Sequence, residues 1–277
     1  SLKISNGKWI WWSRGIGGRS ALDYLIKVKG YSFLEAVETI IGHTAIQAPV
    51  YEKPQLKEEN KPLLLPEKCA SNRVITEYLF GRGIDFEIIN YCISNDLIFE
   101  SLPYHNVVFV GYDEKKEPKY AAYRSTNKRR IMGDCSGSKK DYSFRLGKEN
   151  LEEVHLFECA IDLLSYATLA KLNGQDWKEM SFVSLSGVYS PAKKIEDSKV
   201  PIALEKYLGS NPSVRKIRIH FDNDIAGRKA AQTLKIILPD KYEIVDEPPK
   251  AGKDFNDFLC MQMGIYNKKT HERNEER

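Results

Sequence analysis

The sequence contains no run of about 18 apolar residues, so a membrane-spanning helix has no segment to form from. Cysteine is sparse. Cys69, Cys92, Cys135, Cys159 and Cys260 are scattered, with no C-x-x-C pair. An odd, unpatterned set argues against a disulfide framework and against a self-contained zinc site, and a cytoplasmic, reducing setting is the simplest expectation. The opening residues Ser1-Leu2-Lys3-Ile4 lack an initiator Met and the charged-then-apolar pattern of a leader, so the chain reads as a segment beginning inside a longer protein. No charge of one sign dominates: 42 Lys and Arg face 38 Asp and Glu, a net +4.

What the charge lacks in size it has in distribution. Residues 115–148 hold eleven Lys or Arg against three acids, whereas residues 151–260 hold fifteen basic and seventeen acidic residues. A basic strip beside an acidic module suits an enzyme acting on a polyanion, one part holding phosphates and the other cations.

Residues 1–46 form one compact unit on paper. Asn6-Gly7 separates Leu2-Lys3-Ile4 from Trp9-Ile10-Trp11-Trp12 as a two-residue hairpin turn. Ser20 caps a helix ended by Gly30, and Ser32-x-x-Glu35 is a capping box for a second helix. Residues 47–63 read as a linker rich in Pro, Glu and Lys. Residues 64–150 read as a small α+β basic domain. It has helices over 67–95 broken at Arg82-Gly83-Ile84, then short strands at Asn106–Val110, Lys119–Tyr123 and Tyr142–Leu146 in one antiparallel sheet. From 151 to 262 strands and helices alternate, which implies an α/β fold with a mainly parallel sheet and flanking helices. The strands are Val154–Phe157, Phe182–Leu185, Ile217–Phe221 and Tyr242–Val245. Residues 263–277 read as a charged tail.

Ligands of such sheets sit at the carboxyl ends of strands, where Glu158 and Asp222 fall. In Asp222-Asn223-Asp224 alternate side chains point the same way, so two carboxylates can share one cation. An open carboxylate cluster suits Mg²⁺, which takes a few hard oxygens plus water and phosphate. A lone D-x-D fits a solvated, helix-capping pair equally well; Glu158 at a second strand end favours the cation. Asp162 and Asp254 are further acids near the same edge. His220 lies in a strand, where packing is its expected role, and His43, His105, His155 and His271 show no partner pattern.

Phe157-Glu158-x-x-x-Asp162, Asp222-x-Asp224-x-Ala226-Gly227-Arg228-x-x-Ala231 and Gly252-Lys253-Asp254, in that order, resemble the TOPRIM domain shared by bacterial primases, topoisomerases and some nucleases. Cys159 stands where that family usually has Gly, and Asn256 where primases often have a further Asp. The resemblance implies a Rossmann-like fold with catalytic Glu158, Asp222 and Asp224. It implies Mg²⁺ or Mn²⁺, expected as two ions, held by Glu158, Asp162, Asp222, Asp224 and Asp254. Arg228 reads as a solvated residue, and Ser186-Gly187-Val188-Tyr189 as a structural turn.

Residues 1–42 resemble the C-terminal half of a primase zinc ribbon without its Cys ligands, so no zinc is expected there. The Trp cluster is then either a hydrophobic substitute for the metal or a base-stacking platform, with Arg14 and Arg19 on phosphates. Residues 67–148 resemble the uncharacterised domain that precedes TOPRIM in primase-like proteins of plasmids and integrative elements. That resemblance implies Lys119, Tyr120, Arg124, Lys139 and Lys140 as nucleic-acid or nucleotide contacts, with Lys115, Lys116, Lys128, Arg129 and Arg130 as a solvated loop. The function implied is primer synthesis on single-stranded DNA from nucleoside triphosphates, with a helicase or relaxase as a further partner and no membrane. A TOPRIM nuclease and a non-catalytic DNA-binding accessory module are the rival expectations. A topoisomerase is disfavoured, because little room remains for a strand-passage domain.

Overall fold

The computed structural model describes residues 2–5, 7–42, 61–127, 131–187, 189, 191–192 and 194–265. His43, most of the expected linker, Lys128, Arg129, Arg130, Val188, His271 and the tail beyond Ile265 lie outside the described residues. The chain divides into two compact units, Ser1–Glu59 and Asn60–Arg277.

In the first unit β1 (Leu2–Ser5), β2 (Lys8–Trp11) and β3 (Ile16–Gly18) form an antiparallel sheet followed by α1 (Ala21–Lys27) and α2 (Phe33–Gly42). The local signals act as read. Ser20 Oγ accepts from Asp23 N at 3.1 Å, and the Ser32/Glu35 box closes with bonds of 2.8 and 3.3 Å. The tryptophans divide their work: Trp9 is buried edge-on to Tyr24, Arg14 lies 4.0 Å over the Trp11 ring, and Trp12 is exposed.

The second unit opens with α3 (Arg73–Phe80) and α4 (Phe86–Ser94), broken where the sequence places the break. A four-stranded antiparallel sheet follows, in the order β4 (Ile98–Glu100), β5 (Val107–Tyr112), β6 (Pro118–Arg124), β7 (Met132–Asp134). The remaining strands are β8 (Arg145–Gly147), β9 (Glu153–Phe157), β10 (Ser181–Ser184), β11 (Lys216–Ile219) and β12 (Glu243–Asp246). They form one sheet in the order β12-β11-β9-β10-β8, parallel except for β8. Its helices are α5 (Ala160–Leu172), α6 (Ile202–Ser210), α7 (Ile225–Ile237) and α8 (Phe255–Gln262). This is a mixed α/β fold built on a mostly parallel sheet, with an N-terminal unit before it.

The two-residue period of the strands sorts side chains onto two faces. Val154, Leu156, Ile217 and Ile219 pack with Ala203, Leu204, Ala230 and Leu234 of α6 and α7. Phe157 and Phe182 pack instead with Ile161, Leu164, Phe255 and Leu259 of α5 and α8, a core that continues into Ile75, Leu79, Ile88 and Phe109. α5 is apolar on nearly every side because it lies inside that core.

Two expectations change. Tyr142 closes a 3-10 turn rather than opening a strand, and the strand that follows, β8, leaves the small antiparallel sheet for the edge of β10. Phe144 and Leu146 are buried there, with Phe144 edge-on to Phe109, while Arg145 lies over the Tyr207 ring. Alternation gives a strand's faces, and the partner is set by which edge has free N–H and C=O groups. β11 also ends at Ile219, three residues before Asp222; His220 continues the extended path through a 2.8 Å bond from its N–H to the Leu156 carbonyl.

Candidate active site

Glu158 follows β9 and is 5% exposed, and Asp222 N donates to its Oε1 at 3.2 Å. Asp224 caps α7, accepting from Gly227 N at 2.9 Å. Gly227 lets that helix start against the strand end: a Cβ there would meet the Asp222 carbonyl at 2.2 Å and Glu158 Oε1 at 3.0 Å. Arg228, read as solvated, is instead a clamp. Its guanidinium donates to the carbonyls of Phe221 at 2.8 Å and Asp222 at 3.2 Å, and pairs with Asp246 at 2.7 Å. Backbone carbonyls and a carboxylate thus use three of its fixed donors and hold the loop that carries the acids.

Lys253, to which no motif assigns a role, lies between two of the acids. Its Nζ lies 3.1 Å from Asp222 Oδ2 and 3.2 Å from Asp224 Oδ2. Its carbonyl accepts from Asn223 N at 2.7 Å, which ties the D-x-D loop to the loop before α8. The G-K-D triplet was visible in the sequence, but only the fold brings its Lys across to acids thirty residues earlier.

Asp162 and Asp254 lie on the adjoining side. Cys159 Sγ donates to Asp162 Oδ2 at 2.8 Å and Asn256 N to Oδ1 at 3.2 Å. Asp254 caps α8, accepting from Asp257 N at 2.7 Å. Asn256 is buried, and its side-chain amide donates to the Arg82 carbonyl and to Ser165 Oγ, both at 2.9 Å.

Electrostatics follow burial. Desolvation, reinforced by Asp222, pushes the Glu158 carboxyl up to about 7, against the opposing pull of Lys253. Burial raises Asp222, with Lys253 pulling the other way, and burial together with Asp254 raises Asp162. Asp224 is held below the usual carboxylate range, first by the Gly227 N–H. The hydrogen bond to Asp222 is the main cause raising Lys253.

The basic candidates separate. Tyr120, Arg124 and Lys140 line a cavity of about 320 Å³ whose wall includes Cys159, Ser184, Ser186 and Gly187. The Ser186-Gly187 turn therefore faces a cavity, besides bonding Gly187 N to the Glu158 carbonyl at 2.9 Å. Arg124 Nε donates to Tyr78 Oη at 3.0 Å, Tyr120 Oη to Asp134 at 2.8 Å, and Lys140 pairs with Asp134 at 3.1 Å. Lys119 turns to Glu117 at 2.6 Å and Asp113 at 3.4 Å, and neither it nor Lys139 lines that cavity.

Two histidines read as partnerless have partners. His155 Nδ1 lies 2.8 Å from Nε2 of His220, with the rings stacked at 5.1 Å. His105 Nδ1 lies 2.6 Å from Glu100 Oε1. With Cys69, that pair is the one group among the described residues that brings three potential metal-ligand atoms within 4.8 Å of one another. Glu100 already has a structural duty: its Oε2 accepts from Val74 N and Ile75 N at the start of α3. Glu158, Asp222 and Asp224 stand outside that 4.8 Å limit, and Lys253 lies between the two aspartates.

Residues 155–259 match a family model described as Toprim-like, and residues 77–150 match one described as a protein of unknown function, DUF3991. The chain therefore carries a Toprim-like domain preceded by a domain of that uncharacterised family. Among solved structures it is similar to the primase fragment of the Bacteriophage T7 primase-helicase protein, with 18% identity, 67% of this chain and 69% of that one covered, and a TM-score of 0.45. The Aquifex aeolicus primase (zinc binding and RNA polymerase domains) shows 14% identity over 96% and 78%, with a TM-score of 0.43. The DnaG primase catalytic domain bound to ssDNA shows 14% over 73% and 71%, with a TM-score of 0.44. A search of curated proteins gives no match.

Toprim domains typically bind divalent ions such as Mg²⁺, and the donor set here fits one. The available groups are hard carboxylate oxygens, and a cation, the Lys253 ammonium, already sits between two of them. No helix among the described residues is long and apolar enough to cross a membrane.

Proposed function

We propose that this chain is a primase-like nucleotidyltransferase that makes short primers on single-stranded DNA, in the replication of a mobile element such as a plasmid. The observation that carries the reading is the joining of Glu158, Asp222, Asp224 and Lys253 at one sheet edge, in a domain matched as Toprim-like. Glu158, Asp222 and Asp224, with Asp162 and Asp254 beside them, would hold two divalent ions, Mg²⁺ or Mn²⁺. Such ions neutralise the charge that develops on phosphoryl oxygens. Glu158, with a carboxyl near 7, is suited to take or return a proton at neutral pH. Tyr120, Arg124 and Lys140 are the contacts for template or nucleotide phosphates and bases, with Lys119 and Lys139 as outer basic residues. Single-stranded DNA and nucleoside triphosphates are the substrates, and a helicase or relaxase is the partner class.

Incubation of the chain with Mn²⁺, labelled nucleotides and a single-stranded DNA template is the direct test. Labelled oligomers that vanish in Asp222→Ala and Glu158→Gln are expected. Loss of the template instead of synthesis would make it a nuclease, and binding without either reaction would make it an accessory module; both outcomes overturn the reading.

A further inference from the structure

The acid pair of the D-x-D segment already has a cation. Lys253 Nζ is within 3.2 Å of one carboxylate oxygen from each of Asp222 and Asp224, the seat that one divalent ion would share. The lysine cannot be removed by moving its loop alone. Its carbonyl is bonded to Asn223 N, which fastens its backbone to the segment whose charge it balances, and its N–H approaches Asp257 Oδ2 of α8 at 3.4 Å. Gly252, at φ +79°, sets that backbone path, with a Cβ there meeting Asp257 at 2.8 Å. The side chain is another matter: it is 57% exposed and ends a flexible four-carbon stem. Rotation about side-chain bonds takes the ammonium from the carboxylates into solvent without disturbing either loop.

We infer that Lys253 is a displaceable internal counter-ion, which neutralises Asp222 and Asp224 while no metal is bound and turns to substrate phosphate once a divalent ion takes its place. Two carboxylates facing each other across a partly buried edge repel, and the ammonium relieves that repulsion. A dication is the stronger partner for the same oxygens and repels the ammonium from them. An ammonium tethered beside a metal-loaded carboxylate pair finds its next counter-charge in whatever anion arrives there, and in phosphoryl transfer that is the triphosphate. The same residue thus holds the empty site together and joins substrate binding to metal loading.

This inference rests on the proposed metal site, and the two are separable by experiment. Calorimetric titration of the full chain with Mn²⁺ tests the site: binding by the wild type, lost in Asp222→Ala, is expected, and no wild-type binding would remove the site and the inference together. Lys253→Met keeps the stem and deletes the charge. It should bind Mn²⁺ about fivefold more tightly, as befits the loss of a competing half-exposed ion pair. Its metal-free melting temperature should fall and recover with Mn²⁺ by more than the wild type gains. At saturating Mn²⁺, fluorescence anisotropy should show a fluorescent ATP analogue bound about tenfold more weakly by Lys253→Met, with Lys253→Arg restoring most of the loss. Lys253→Gln serves as a second neutral variant if the Met substitution does not fold. Unchanged or weaker Mn²⁺ binding in the neutral variants, with Asp222→Ala still abolishing it, overturns the counter-ion role. Unchanged nucleotide binding overturns the phosphate role.

Discussion

The side-chain amide of Asn256 donates to the backbone carbonyl of Arg82 at 2.9 Å, across a sequence separation of 174 residues. This bond joins the first turn of α8 to the break between α3 and α4. A position where primases often have a further Asp is therefore occupied by a structural tie.

Asn256→Asp follows as a prediction. The substitution replaces two N–H donors with an acceptor facing the Arg82 carbonyl, in a site that is 2% exposed. Its stability should fall by about 2–4 kcal/mol at pH 8, where the new carboxyl is charged, and by less near pH 4.5, where it is protonated. Divalent affinity should not rise. Urea unfolding at the two pH values checks the first point and Mn²⁺ titration the second; a stable variant with tighter metal binding would show that Asn256 faces the metal site after all.

Gly227→Ala should be more costly than its size suggests. The added methyl meets the Asp222 carbonyl at 2.2 Å, so either α7 or the acid loop has to shift. A loss of about 3 kcal/mol is expected, together with weakened Mn²⁺ binding. Gly209→Ala, a helical position with nothing within 4 Å, should instead gain about 0.5–1 kcal/mol. Equal effects of the two substitutions would mean that the tight start of α7 is not what sets the site.

The stacked histidines predict a pH dependence. Burial lowers the His155 side chain from about 6.5 to about 4, so the folded chain refuses a proton that the unfolded chain accepts. The associated stability is complete above about pH 6.5 and is lost as pH falls towards 4, by up to about 3 kcal/mol. Glu158 acts oppositely: its raised carboxyl costs stability as pH rises from about 4.5 to about 7. His155→Gln separates the two, because its unfolding free energy should fall less between pH 6.5 and 4 than that of the wild type. An identical slope in both proteins would leave acid sensitivity to other groups.

Local chemistry was legible in the sequence, and long-range chemistry less so. The capping box at Ser32, the break at Arg82-Gly83 and the alternation of Val154 to Phe157 depend on neighbours within a few residues. The strand-end placement of Glu158 needed only the α/β pattern and its rule for ligand position. Lys253, Arg228 and Asn256 acquire their roles from partners that the fold supplies, the Asp222/Asp224 pair, the Phe221 carbonyl and the Arg82 carbonyl, and no spacing encodes them. The pairing of Lys119 is local by contrast: Asp113 and Glu117, close by in the same hairpin, balance its charge. The two histidines that looked isolated are paired by residues just past the end of β11 and at the end of β4.

β8 bears on how such proteins are cut and recombined. The strand lies within the span matched to the uncharacterised family, yet it completes the edge of the Toprim-like sheet. A fragment begun at residue 151 would present β10 with a bare row of N–H and C=O groups, open to pairing with any other extended chain. The seam between the two families in the sequence is not a seam in the molecule, and exchange of one Toprim-like segment for another would have to carry residues 143–150 along with it.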